Sequence, residues 1–140
     1  TLFRTKKYYD TEAKMREEAV ELLKIFELDT RKDEKAKNLA YGQQRELEIV
    51  RALATKPKVL FLDEPAAGMN PQETAQLTEL IAKIQREFDL TVVLIEHDMS
   101  LVMKICQRIY VLEYGRLLAE GTPEEIKQNP AVIKAYLGGE

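Results

Sequence analysis

The chain has 140 residues, of which 45% are hydrophobic and 32% are charged, and its formal net charge is −3. This composition is ordinary for one globular domain and excludes a wholly disordered chain. Neither half of the chain is basic enough to indicate a nucleic-acid footprint. A lone cysteine, Cys106, excludes a disulfide framework or a cysteine-rich zinc site within the chain. No apolar run approaches the roughly 20 residues that span a bilayer.

The N-terminal third of the chain is predicted to contain two helices. Apolar side chains at helical spacing predict the first from Asp10 or Thr11 to about Leu28. A charge-dense stretch over residues 29–37 is interpreted as a solvated loop. Helical spacing resumes over residues 43–54, which predicts the second helix.

Two short apolar runs predict strands on either side of a long helix. Residues 58–62 and 91–95 are typical of strands that are buried on both faces. The helix is predicted over residues 71–88, and a short helix over residues 98–106 follows the second strand. This alternation predicts an α/β protein with a parallel sheet.

The C-terminal part is predicted to hold a hairpin and two helices. Residues 108–112 and 116–120 are expected to pair through a turn at Tyr114-Gly115. Thr122-Pro123 and Asn129-Pro130 each place a capping residue before a proline, which indicates the start of a helix.

Two acidic residues, Asp63 and Glu64, follow the first predicted strand directly. Ligands of parallel sheets bind beyond the carboxyl ends of the strands. The first acid can hold Mg²⁺ directly or through water, and the second can orient or deprotonate an attacking water. The alternative is an acidic strand-to-turn junction with no chemical role.

The only histidine, His97, follows the second predicted strand. If the strands are parallel, His97 lies at the same edge of the sheet and can donate a hydrogen bond to a phosphate oxygen. The alternatives are an exposed histidine, one buried in the core, or one that caps the next helix. The neighbouring Asp98 is predicted to be the N-cap of that helix rather than a catalytic group.

A glycine-containing segment, Leu39-Ala40-Tyr41-Gly42-Gln43, precedes the second helix. Gly42 allows the backbone to approach a ligand closely, and a helix N-terminus offers N–H groups and a positive dipole to phosphate. The alternative is a plain junction between a loop and a helix.

The order and spacing of these segments resemble the nucleotide-binding domain of ABC transporters over essentially the whole chain. Residues 39–43 look like the family signature, residues 59–64 like its Walker B strand, residues 67–70 like its D-loop, and His97 like its switch histidine. The resemblance implies the C-terminal part of an ABC-type P-loop NTPase domain of the α/β class. That part would have a parallel sheet with flanking helices, part of the helical subdomain and a C-terminal β-hairpin.

The resemblance also implies ATP and Mg²⁺ as cofactors and a dimer that sandwiches two ATP molecules. It implies that Asp63 helps to hold Mg²⁺ through water, Glu64 acts as the base for water, and His97 contacts the γ-phosphate. The residues that it implies for nucleotide binding, some of them serving the ATP of the opposite subunit, are Leu39, Ala40, Tyr41, Gly42, Gln43, Asp63 and Asn70.

Longer strings are similar to the ATPase subunits of branched-chain amino-acid importers: residues 38–44, 65–71, 95–99 and 135–138. This similarity implies a bacterial or archaeal ATPase at the cytoplasmic face of the inner or plasma membrane. Its implied partners are a second nucleotide-binding subunit, identical or not, transmembrane permease subunits and, indirectly, a substrate-binding protein, with no nucleic acid. The alternatives are an exporter of lipid or lipopolysaccharide, a non-catalytic docking module, and a non-transport ABC protein of DNA repair or translation.

Two positions depart from the family pattern. Ala40 stands where the signature usually has serine, so a hydroxyl that would reach the γ-phosphate is missing and a weaker phosphate contact is expected. Asn70 stands where the D-loop usually ends in aspartate. Asn70, Pro71 and Glu73 also form the pattern of a helix cap, so a capping role for Asn70 stands beside a catalytic one.

The 140 residues contain no G-x-x-x-x-G-K-[ST] phosphate loop, and the chain begins at Thr1 rather than Met. The resemblance implies that this loop and the Q-loop glutamine lie N-terminal to Thr1. It divides the chain into residues 1–56, part of the helical signature subdomain, and residues 57–140, the C-terminal part of the RecA-like ATPase core. We therefore expect no ATP hydrolysis by the 140-residue chain alone.

Overall fold

A computed structural model describes residues 6–137 of the chain and the side chains of residues 8–136. Its main elements in chain order are α1 Lys6–Ile25, α2 Tyr41–Leu53, β1 Val59–Asp63, α3 Pro71–Phe88, β2 Thr91–Ile95, α4 Met99–Ile105, β3 Ile109–Glu113, β4 Arg116–Gly121, α5 Pro123–Gln128 and α6 Pro130–Val132. Short 3₁₀ turns at Asp29–Arg31 and Ala36–Asn38 lie between α1 and α2, and a π-helical turn, Ile133–Leu137, follows α6. Residues 1–5 of the chain and Gly138 of the string 135–138 lie outside the described residues.

The first helix differs from its predicted bounds at both ends. Among the described residues it is already helical at Lys6, ahead of the predicted start at Asp10 or Thr11. It ends at Ile25 because Glu27 adopts a left-handed conformation, with φ of 55°. The N–H of Leu28 then donates to the carbonyl of Leu23 at 2.9 Å, which is the closing bond of a Schellman motif.

The two strands β1 and β2 pair in parallel, as predicted, with Phe61 opposite Val93 and Asp63 opposite Ile95. The expectation that both faces are buried is wrong. Leu60 and Leu62 are buried, but Phe61 on the opposite face is 72% exposed. The reason is that apolar side chains from the helices cover one face of this sheet, and among residues 6–137 the other face remains open.

The main hydrophobic core joins the helices to the covered face of the sheet. Its buried members come from the segment directly after α1, from α2, β1 and α3, from the residue before β2, and from α4: Phe26, Leu28, Ile49, Val50, Leu53, Leu60, Leu62, Leu77, Ile81, Ile84, Leu90, Leu101 and Ile105. Residues on both sides of position 56 contribute to this cluster. The two predicted parts of the chain therefore pack against each other, and their division at residue 56 stays a prediction.

A second, smaller core lies under the C-terminal hairpin, between α4, β3, α5 and α6. Strands β3 and β4 pair antiparallel, and their turn has positive φ at Tyr114 (48°) and Gly115 (74°). Positive φ at both central residues is the geometry of a type I′ turn, so the predicted hairpin is confirmed. Thr122 caps α5 and Asn129 caps α6, as predicted.

Candidate functional site

The carboxyl edge of the parallel sheet brings Glu64 and His97 together. The N–H of Glu64 donates to the carbonyl of Ile95 at 2.9 Å, which extends the ladder between β1 and β2 by one step. Beyond that step, the Nδ1 atom of His97 lies 3.4 Å from the Oε1 atom of Glu64. The two side chains are 75% and 53% exposed, respectively, so a ligand can reach both. Their catalytic roles stay predictions.

Glu64 holds an unusual backbone conformation for a residue with a side chain. Its φ is 43°, in the left-handed region that costs a non-glycine residue about 1 kcal/mol or more. The N–H of Ala67 donates to the carbonyl of Glu64 at 3.0 Å and closes a turn that leads the chain away from the sheet. Strain of this kind concentrates at functional sites, and here it falls on the predicted base.

Glu96 is a residue of this edge that sequence reasoning missed. Its side chain is only 2% exposed, whereas the side chains of Glu64 and His97 at the same edge are largely exposed. One carboxylate oxygen accepts from the N–H of Ala66 at 3.0 Å, and the other accepts from the N–H of His97 at 3.3 Å. Glu96 thus joins the loop after β1 to the loop after β2. The available signal was a third carboxylate directly beyond an apolar strand.

Asp63 ends β1 and is exposed at the same edge. Within residues 6–137, no group of three or more histidine, cysteine, aspartate or glutamate side chains is placed to hold a metal ion. A single exposed carboxylate nevertheless fits Mg²⁺, because this ion keeps several waters and takes its remaining ligands from one or two carboxylates and substrate phosphates. Asp63 is therefore suited to a partial ligand role rather than to a complete protein cage.

The signature-like segment forms the start of α2, and Ala40 is the N-cap residue. Alanine has no side-chain acceptor, so the first N–H groups of α2 lack a cap from this position. The Oε1 atom of Gln43 accepts from the N–H of Ala40 at 3.4 Å and from Arg31 at 3.0 Å. Leu39 is buried, and its carbonyl accepts from the side chain of Gln44 at 2.8 Å. The segment is therefore held by Leu39 and Gln43, while Ala40 as a residue is exposed.

Tyr41 and Gly42 place the start of α2 against the segment that follows Glu64. The hydroxyl of Tyr41 donates to the carbonyl of Ala67 at 3.1 Å. Gly68 has φ of 77°, and a Cβ there would lie 3.5 Å from the Tyr41 ring. A Cβ at Gly42 would lie 3.4 Å from the Oε1 atom of Glu73. The signature-like segment thus packs on residues 67–73, whereas Glu64 and His97 pair with each other.

Arg45 supports Tyr41 from one turn further along α2. Its guanidinium donates to the Tyr41 hydroxyl at 3.1 Å and lies over the ring, 5.3 Å from its centroid. A hydrogen bond to Glu48, and next one to Tyr41, raise the pKa of Arg45 above its ordinary value. Tyr41 is therefore oriented by a residue that keeps its positive charge.

The two predicted helix caps near the site are confirmed. The Oδ1 atom of Asn70 accepts from the N–H groups of Gln72 and Glu73 at 3.0 Å each, and Glu73 accepts in return from the N–H of Asn70 at 2.9 Å. Asp98 accepts from the hydroxyl and the N–H of Ser100 and caps α4. These bonds, the Ser100 hydroxyl foremost, hold the pKa of Asp98 below its ordinary value.

Comparison with known proteins extends the resemblance to named relatives. The chain is 52% identical over 137 residues to the high-affinity branched-chain amino acid transport ATP-binding protein BraF of Pseudomonas aeruginosa. A family profile described as "ABC transporter" matches residues 1–67. The chain belongs to the ATP-binding domain family of ABC transporters. A second profile, described as "Branched-chain amino acid ATP-binding cassette transporter", matches residues 116–140 of this ABC-family chain.

A second curated relative and a solved structure also support the assignment of this chain to the ABC family. The high-affinity branched-chain amino acid transport ATP-binding protein LivG of Salmonella typhimurium is 61% identical over 103 residues, which are 74% of this chain and 40% of LivG. A nucleotide-free ATP-binding cassette from an ABC transporter matches with a TM-score of 0.80 and 34% identity, over 96% of this chain and 54% of that one. The predicted P-loop NTPase fold is thereby confirmed.

These matches cover only part of the relatives. The alignment with BraF takes in 98% of this chain but 54% of BraF, so the chain spans about half the length of the curated relatives that it matches. No helix within residues 6–137 combines the length and the apolar character that crossing a membrane requires.

Proposed function

We propose that the complete protein carrying this sequence is the ATP-hydrolysing subunit of an ABC importer for branched-chain amino acids. The observation that carries the proposal is the pairing of His97 with Glu64, 3.4 Å apart at the carboxyl edge of the parallel sheet. BraF and LivG, whose names assign them to branched-chain amino acid transport, support the substrate class. The profile match over residues 116–140 supports it independently, because that profile describes the same kind of transporter.

In the proposed reaction a water attacks the γ-phosphorus of ATP, and ADP and inorganic phosphate leave. Glu64 orients the water and accepts its proton, which is the task of a base within hydrogen-bond reach. His97 donates a hydrogen bond to a γ-phosphate oxygen. Its position beside Glu64, 3.4 Å away, supports a role for both groups at one reacting centre. Asp63 would hold Mg²⁺ through water, and the bound ion would supply positive charge beside the phosphates.

The start of α2 binds the ATP of the opposite subunit in this proposal. The backbone N–H groups at Tyr41, Gly42 and Gln43 lie in the first turn, where a helix attracts phosphate. Ala40 contributes its backbone, and the buried Leu39 contributes by anchoring the segment in the core. Asn70 acts mainly as the cap of α3, which fixes the segment that Tyr41 touches.

The proposed assembly places two such subunits head to tail beneath a permease, at the cytoplasmic face of a bacterial or archaeal membrane. Residues 1–56 belong to the helical subdomain, which contacts the permease, and residues 57–140 belong to the ATPase core. The shared core between these two parts supports this arrangement, because movement at the nucleotide can be passed directly to the helices. A substrate-binding protein delivers the amino acid to the permease.

The proposal is tested by uptake of radiolabelled leucine, isoleucine and valine in cells that lack the gene. We expect uptake to be lost and then restored by the complete gene, but not by its Glu64→Gln variant. Methionine uptake serves as the control substrate, because the methionine import protein MetN of Caulobacter vibrioides is a more distant relative at 40% identity. Loss of methionine uptake with intact leucine uptake would reassign the substrate, and restoration of uptake by Glu64→Gln would refute the assigned base.

A further inference from the structure

We propose that Glu96 is a positioning residue of this site, whose carboxylate ties the turn after Glu64 to the backbone of His97. The inference rests on the proposed function, because it concerns how the two reacting side chains are held. Glu96 lies with its side chain 2% exposed, while His97, the next residue, is 75% exposed. The two oxygens of Glu96 accept from the N–H groups of Ala66 and His97, one on each loop.

The turn after Glu64 needs external support. Glu64 has a left-handed backbone, and Pro65 has no N–H with which to secure the turn. The first N–H after them belongs to Ala66, and Glu96 accepts it at 3.0 Å. On the other side of the strained residue, the N–H of Glu64 donates to Ile95 at 2.9 Å. Two consecutive residues at the end of β2 thus hold the turn on both sides of Glu64.

The same carboxylate also fixes the start of the loop that carries His97. Its second oxygen lies 3.3 Å from the N–H of His97 and 4.0 Å from the Nδ1 atom of the imidazole. A buried carboxylate is costly unless hydrogen bonds compensate for the lost water, and here backbone N–H groups on two loops provide them. The distance between the side chains of Glu64 and His97 therefore depends on the Glu96 carboxylate, which need not touch the nucleotide itself.

The test compares Glu96→Ala and Glu96→Gln in the complete gene product. Alanine removes both acceptors, whereas glutamine keeps the shape and one carbonyl oxygen. We expect kcat for ATP hydrolysis to fall about tenfold to a hundredfold in Glu96→Ala, because small misplacements of reacting groups cost this much. The KM for ATP should stay close to the wild-type value, since the substitution weakens stabilisation of the transition state rather than binding of ATP. The kcat of Glu96→Gln should lie between those of the wild type and Glu96→Ala.

Glu125→Gln is the matched control. Glu125 also accepts a backbone N–H, from Thr122 at 2.8 Å, but at the start of α5. We expect its kcat to equal that of the wild type. If Glu96→Ala lowers only the melting temperature while kcat is unchanged, Glu96 is merely structural and the proposal is wrong. If Glu96→Ala does not fold, the kcat of Glu96→Gln decides by the same criterion.

A readout that is independent of hydrolysis separates this inference from the proposed function. In NMR spectra of the complete protein, the amide resonance of Ala66 and the imidazole resonances of His97 should shift in both Glu96 variants and stay in place in Glu125→Gln. Unshifted resonances would overturn the proposal. If Glu64→Gln retains full turnover, the proposed base is wrong, while these resonances still show whether Glu96 holds the two loops together.

Discussion

The Nδ1 atom of His97 lies 3.4 Å from the Oε1 atom of Glu64, although the two residues belong to different loops. Parallel pairing of β1 and β2 causes this, because it brings the ends of both strands to one edge. The edge therefore holds an exposed carboxylate and an exposed imidazole side by side. Such a pair suits phosphoryl transfer, in which catalysis consists mainly of positioning and electrostatic stabilisation.

Ala40→Ser should stabilise the fold. Ala40 is the exposed N-cap of α2 and has extended backbone geometry, with φ of −59° and ψ of 155°. A serine hydroxyl there can accept one of the first N–H groups of α2, which raises the free energy of unfolding by about 1 kcal/mol. Urea denaturation measures the change. The control is Ala75→Ser in the interior of α3, which should be neutral or slightly destabilising. An equal effect of both substitutions would contradict the capping account.

Asn70→Ala should lower the free energy of unfolding by about 1 kcal/mol, because two N–H groups of α3 lose their acceptor. Asn70→Ser should be close to wild type in stability, since serine caps about equally well. The same pair of variants separates capping from catalysis. If Asn70 acts through its cap, Asn70→Ser keeps the wild-type rate of ATP hydrolysis in the complete protein. A large loss of rate in a fully stable Asn70→Ser variant would instead favour a direct catalytic role.

Asp98 should make stability depend on pH in the acid range. Hydrogen bonds from Ser100 and Leu101 lower the pKa of Asp98 in the native state from its ordinary value of 3.8, so the unfolded chain binds the proton more readily. The resulting stabilisation is present above that value and is lost as pH falls through the native pKa. Asp98→Asn keeps a cap but cannot titrate. Wild type should exceed it in stability at pH 7, and the difference should shrink below about pH 4. A difference that stays constant from pH 7 to pH 3 would contradict this.

The 140-residue chain alone should neither bind MgATP tightly nor hydrolyse it, because its sequence has no glycine-rich phosphate loop. Titration calorimetry with MgATP and a phosphate-release assay measure the two properties. The control is the chain with Glu64→Gln, which should give the same background. Turnover by the 140-residue chain that disappears in Glu64→Gln would show that the chain holds a complete site.

Local sequence signals predicted much of this fold. The bounds of α3, Pro71–Phe88, agree with the prediction because Asn70 and Pro71 mark the start and the helical period is strong. The end of α1 was misplaced because Glu27 takes the left-handed position that glycine usually marks. The prediction that both faces of β1 are buried is wrong because an unbroken apolar run does not indicate which element covers each face. Phe61 shows that burial depends on packing rather than on the residue type.

The sequence predicted those residues of the candidate site that closely follow a strand in the chain. Asp63, Glu64 and His97 all directly follow the apolar runs, or lie within two residues of their ends. The contacts that hold them were not predictable, because they join residues far apart in sequence. Glu96 reaches Ala66 across 30 positions, and Tyr41 reaches Ala67 across 26. Only the folded chain brings these partners together.

The rate of ATP hydrolysis by the complete protein and its Glu64→Gln variant tests the central claim most directly. A general base contributes about a hundredfold to ten-thousandfold, so hydrolysis should fall at least a hundredfold in the variant. ATP binding should be retained, because Glu64 acts on water rather than on the nucleotide. Glu125→Gln should hydrolyse ATP like the wild type. Equal turnover by wild type and Glu64→Gln, with both bound to ATP, would contradict the account.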